Sequence, residues 1–75
     1  MHYKRIISDP KIMLGKPVIK GTRITVELIL RKLSEGAKIS DILIMYNHIK
    51  EEDVLAALTY ASDVVSKEEM LSITK

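Results

Sequence analysis

The order of apolar and polar positions changes period once along the chain. Before residue 25 the apolar residues fall in short, β-branched groups. "RIISDP", residues 5–10, is a brief apolar run closed by Asp9-Pro10, a pair that opens turns. "PVIKGTRI", residues 17–24, sets Val18 and Ile19 on one side of Lys20-Gly21 and Ile24 on the other. That spacing predicts two short strands joined by a tight turn, with Gly21 supplying the positive φ the turn needs. Pro17 has no N–H to donate and is expected to begin an edge strand.

From Thr25 onward the period becomes 3.6. Thr25 is placed to cap a first helix whose Val26, Ile29, Leu30 and Leu33 share one stripe, and Gly36 ends it. Ser40 is the expected cap of a short second helix, with Ile42, Leu43 and Tyr46 inward and its end near Asn47. A third helix spans about 51–66. Glu51, Glu52 and Asp53 crowd its first turn, where the helix dipole favours negative charge. Val54, Leu55, Leu58, Ala61 and Val65 form its main stripe. Ala57, Tyr60 and Val64 make a second one, and a helix apolar over so much of its surface meets a further element. Two covers fit that strip: a second copy in a homodimer, or the N-terminal hairpin of the same chain. Ser66 and Glu69 have the spacing of a capping box, so the segment after residue 66 either restarts a turn or frays. The expected architecture is one mainly α domain: a β-hairpin arm over 1–24, a three-helix bundle over 25–66 and a tail over 67–75.

Composition narrows this further. A chain of 75 residues buries only about 60% of the surface its unfolded form exposes. There is no Phe, Trp or Cys, so aliphatic residues and three Tyr fill the core without disulfides or thiolate metal ligands. A marginal core favours self-association. Nothing in the pattern reads as a signal peptide or membrane span, and a cytoplasmic location is the expectation. The net charge of +2 divides unevenly: residues 1–38 hold nine Lys or Arg against three acids (+6), and residues 39–75 hold three Lys against seven acids (−4). Such polarity suits an anionic partner at one end and a basic partner or a second copy at the other; small chains also reach it by chance.

Candidate chemistry is sparse. The Gly15-Lys16 pair is followed by Pro17, which removes a donor that a phosphate-binding loop needs, so a nucleotide site is not expected. Lys16, Lys20 and Arg23 remain candidates for phosphate contact, or serve as edge charges that discourage aggregation. His2 and His48 are too few for a metal site and have no nucleophile or acid arranged beside them. No catalysis, metal or cofactor is expected. The spacing of helices two and three fits a helix-turn-helix, yet acids at the start of helix three would repel phosphates. If DNA is bound, Arg31 and Lys32 join the hairpin cations as backbone contacts. Thr59 and Tyr60 are then the candidates for base reading on helix three.

The run over residues 9–61, with "DPKIMLGKPVIKGTRI" and "EEDVLAALTYA", resembles the prokaryotic domain-of-unknown-function family 433. The G-K-P-V-I-K-G-T-R core carries the resemblance. Met13-Leu14 depart from the usual small or Cys-Gly pair, Thr25 and Asn47 from frequent prolines, and Lys50 from a frequent Thr cap. The resemblance implies a homeodomain-like helix-turn-helix fold. It also implies a role beside a PIN-like nuclease, as an antitoxin of the VapB kind. The expectation is a non-catalytic homodimeric antitoxin that binds a PIN-like nuclease toxin and its own operator. The alternative is a small homodimeric interaction module without DNA binding.

Overall fold

A computed structural model describes the backbone of residues 3–72 and the side chains of residues 3–67. Its two strands, β1 (Ile6–Ile7) and β2 (Val18–Ile19), pair antiparallel with Ile6 opposite Ile19 and Ile7 opposite Val18. Three helices follow: α1 (Val26–Ser34), α2 (Ile39–Met45) and α3 (Glu51–Ser72). The chain is mainly α, with a small β element ahead of a three-helix unit. His2 and residues 73–75 of the expected tail lie outside the described residues.

The tight turn at Lys20-Gly21 is present, but its strand partner differs from the expected one. Gly21 has φ +82° and the Thr22 N–H donates to the Ile19 carbonyl at 3.0 Å. The Thr22 hydroxyl donates to the same carbonyl at 2.8 Å and accepts the Ile24 N–H at 2.9 Å. Those bonds turn the chain toward α1 so sharply that the return limb forms a single bridge, Val18 to Thr25. The lasting partner of β2 is β1. β2 therefore lies inside, flanked on both sides, and Pro17 stands just before it instead of opening an edge strand. Its missing N–H leaves no ladder bond unmade, and its carbonyl accepts the Val26 N–H at 2.9 Å.

Between the strands, Asp9 opens a turn as expected: its carbonyl accepts the Ile12 N–H at 2.8 Å and its carboxylate the Lys11 N–H at 2.9 Å. Met13, Leu14 and Gly15 then adopt φ of +50°, +58° and +85° in succession. Only the glycine takes this conformation without a steric penalty on Cβ.

The helix ends follow local chemistry. Thr25 Oγ1 accepts the Leu28 N–H at 2.9 Å, the expected N-cap. Gly36, at φ +102°, ends α1: its N–H reaches the Leu33 carbonyl, and the Ala37 N–H reaches that of Lys32, both at 3.1 Å. The cap of α2 is Lys38, not Ser40. The Lys38 N–H donates to Asp41 at 2.8 Å, so an acid reaching back from the third helical position replaces the hydroxyl. The same device starts α3, where the Lys50 N–H donates to Asp53 at 2.8 Å. α3 passes unbroken through Ser66, so no new helix begins there. Lys67, Glu68, Glu69, Met70 and Leu71 are all good helix formers and give the helix no reason to stop.

Ile6, Ile19, Ile24, Val26, Ile29, Ile42, Ile49, Val54 and Ala57 form the core. Each large aliphatic among them contributes roughly 1.5–3 kcal/mol on full burial. α3 corrects the expected phase: Ala57 is fully buried whereas Leu55 and Val65 are 47% and 56% exposed. The core line of α3 is Val54, Ala57 and the half-buried Ala61, with Leu30 of α1 displaced to the surface.

Candidate interaction surface

Three features of the surface follow from this frame. The first is the basic strip. Lys16, just after the left-handed turn, places Nζ 3.0 Å from Glu27 Oε1, and Arg31 on the next turn of α1 lies 3.6 Å from the other oxygen. The Lys16 ammonium, foremost by its hydrogen bond and then by its charge, holds the Glu27 carboxyl below the usual carboxylate range; Arg31 adds to this. All three side chains are more than half exposed, so the cluster contributes little stability. Lys20 and Arg23 are exposed on the turn, and Lys32 is half-buried on α1. The five candidate cations thus divide into two tied to one carboxylate, two on the turn with no ion pair among the described residues and one along α1.

The second feature is the start of α3. Asp53 accepts Arg5 Nη1 at 2.9 Å as well as the Lys50 N–H, so one acid of the first turn is neutralised by the residue just ahead of β1. Glu51 and Glu52 stay exposed. Thr59 is exposed farther along the helix, but Tyr60 does not share its outward position. The Tyr60 ring meets Tyr3 edge-on, with centroids 5.1 Å apart and planes at 67°. The Tyr3 hydroxyl donates to Asp63, and that bond, with burial and the Asp63 charge behind it, pushes the phenol up to about 12.

These contacts bear on the expected dimer strip of Ala57, Tyr60 and Val64. Ala57 is fully buried in its own chain, so it is removed from any interface between copies. Tyr60 is half covered by Tyr3, from the segment ahead of β1, and Val64 remains 40% exposed. Intramolecular cover accounts for one end of the strip and leaves the other open.

The third feature is a groove of about 560 Å³ between α1 and α3. Pro17, Leu30, Tyr60, Ala61, Val64 and Val65 supply its apolar lining, and Glu27 and Arg31 stand among the residues around it. The apolar pattern does not disclose it, because its walls come from separate elements and because Leu30 and Val65 fit the expected core stripes. Their presence in stripes that were already full was the available signal. A smaller cavity of about 400 Å³ on the turn is lined by Ile12, Gly21, Thr22 and Arg23.

Among the described residues, no group of three or more His, Asp or Glu is placed to hold a metal ion, and no helix is long and apolar enough to cross a membrane. His48 is exposed in the turn between α2 and α3.

A family model described as "Protein of unknown function (DUF433)" matches residues 6–61, from β1 into α3. An uncharacterized protein of Archaeoglobus fulgidus is 57% identical over 28 residues, covering 37% of this chain and 78% of that protein. No solved structure gives a significant match. The family model spans the sheet, the left-handed turn, α1, α2 and the buried part of α3, which is well over half of the chain. The chain belongs to the DUF433 family of proteins of unknown function.

Proposed function

We propose that this chain is the antitoxin of a type II toxin–antitoxin pair, a non-catalytic cytoplasmic homodimer that binds a PIN-like nuclease and its own operator. The separation of charge is the observation that supports it most. The +6 half holds the sheet, the turn and α1, and the −4 half holds α2 and α3. A chain so divided offers cations to an anionic partner, DNA phosphates or the acidic centre of a metal-dependent nuclease, mainly from its first half. Lys20 and Arg23 lead in that role, since Lys16 and Arg31 already face Glu27.

The runner-up is a homodimeric interaction module that does not bind DNA. The exposed Glu51 and Glu52 favour it, because a helix that starts with acids is a poor reader of a groove walled by phosphates. A PIN-like nuclease in the neighbouring reading frame would favour the first reading, and co-expression with it tests that reading. Co-elution as one complex is expected, and separate elution contradicts the antitoxin role.

A further inference from the structure

We propose that the left-handed turn at Met13-Leu14 is a DNA wedge. Leu14 enters the minor groove at a flexible base step and parts the stack, while the cations around it hold the flanking phosphates. The inference rests on the operator-binding part of the reading above and needs neither toxin nor homodimer.

Leu14 is 92% exposed and Met13 beside it 39% exposed. Both stand at positive φ, +58° and +50°, which such side chains adopt only against a steric penalty. Neither belongs to the core, so no packing inside the chain offsets that penalty. The bonds that close the turn are backbone ones: Gly15 N–H to the Ile12 carbonyl and Lys16 N–H to that of Met13, both 3.1 Å. They would serve any pair of residues, glycine included. Strain kept at an exposed position, with an apolar side chain aimed at solvent, points to a residue placed for a partner.

The surroundings of the turn are cationic. Lys11 and Lys16 flank it in sequence, and Ile12 shares a cavity with Gly21, Thr22 and Arg23, so the second turn lies alongside. Lys11, Lys20 and Arg23 are exposed and make no ion pair among the described residues. The acids at hand are engaged: Asp9 accepts the Lys11 N–H at 2.9 Å, and Glu27 faces Lys16 and Arg31.

This combination selects the partner. One leucine with one methionine is too small an apolar patch for a stable protein interface, which buries many side chains on each partner. It has the size of a wedge for a single base step, and minor-groove proteins combine such wedges with Lys and Arg. The acids that begin α3 keep that helix away from phosphates, so the two turns are the part of the chain suited to approach a duplex.

The probe is a duplex of about 20 base pairs with a central TA step, a step that unstacks readily. 2-Aminopurine replaces the adenine of that step, and dyes at the two ends report bending. At low salt the wild type should raise 2-aminopurine fluorescence and shorten the end-to-end distance, as a kink of roughly 20–90° requires. Leu14→Ser should lose both signals and keep the salt dependence of binding, and Leu14→Met should restore both. Lys20→Ala with Arg23→Ala should instead weaken binding and flatten its salt dependence. Position 14 is exposed, so the fold tolerates either change, and circular dichroism checks that it does.

Salt-dependent binding by the wild type without fluorescence rise or bend overturns the wedge and leaves operator binding by the cations. Distortion that persists in L14S overturns it as well. Capture by phosphatidylglycerol vesicles that depends on Leu14, with the duplex undistorted, assigns the turn to a membrane surface and overturns the wedge. No binding to the duplex even at low salt overturns both the wedge and the operator reading.

Discussion

The hydroxyl of Tyr3 donates to the carboxylate of Asp63, 60 positions later in the chain. Together with Tyr60 packed edge-on against the same ring, it ties the segment ahead of β1 to the middle of α3. The neutral phenol is the form this bond needs. Because the folded pKa is raised to about 12 from 10.0, the stabilisation is complete below pH 10 and is lost as pH rises toward 12. An ultraviolet titration should show one tyrosine ionising near pH 12, and Tyr3→Phe should remove that phase. A phase that survives the substitution would contradict the bond.

That pair also marks the boundary of what the sequence discloses. Local rules reached Thr25, Gly36, the Asp9 turn and Gly21, because each is set by bonds within a few residues. The pairing of Ile6 with Ile19, and of Arg5 with Asp53, depends on where distant segments meet, and neither partner carries a local sign. The phase error on α3 has a different origin. Hydrophobicity ranks Leu55 above Ala57, yet where helices and sheet converge closely only the small side chain fits inside. The same error hid the groove, since Leu30 and Val65 line a surface cleft and do not fill the core.

The two turns of the N-terminal region should respond in opposite directions. Gly21 has open space where a Cβ would stand, so any penalty at this site is in the backbone. Gly21→Val should therefore destabilise by roughly 1–3 kcal/mol. Lys20→Ala should stay within about 0.5 kcal/mol. Leu14 is 92% exposed at φ +58°, so Leu14→Gly relieves strain while losing little contact. A gain of about 0.5–1 kcal/mol is expected once the entropy of glycine is set against the left-handed penalty. Urea melts of the three variants check this, and a loss at Leu14→Gly would show that the side chain holds the turn.

Within the helices, cap and core can be ranked. Thr25→Ala removes the acceptor for the Leu28 N–H and should cost about 0.5–2 kcal/mol. Ile42→Ala empties a fully buried site and should cost about 2–5 kcal/mol, enough to leave so small a domain largely unfolded. Thermal denaturation orders the two, and a larger loss at Thr25 would mean that the core is looser than its burial indicates.

Operator binding, if it follows the charge, should depend on the turn cations. Replacing Lys20 and Arg23 with alanine should weaken binding to every sequence alike and flatten its salt dependence by about 0.9 per lost phosphate contact. Lys16→Ala should have a smaller effect, because that charge already faces Glu27 at 3.0 Å. Titrations of the DNA upstream of the gene at several salt concentrations measure both. Wild-type binding that is absent at every salt concentration would leave the interaction-module reading in place.

The proposed antitoxin role is tested most directly by the activity of any PIN-like nuclease that a neighbouring reading frame encodes. RNA cleavage is followed while this protein is added at rising ratio to a fixed amount of enzyme. The account predicts cleavage falling in proportion to added protein until a stoichiometric endpoint. Cleavage that continues unchanged at large excess would contradict it.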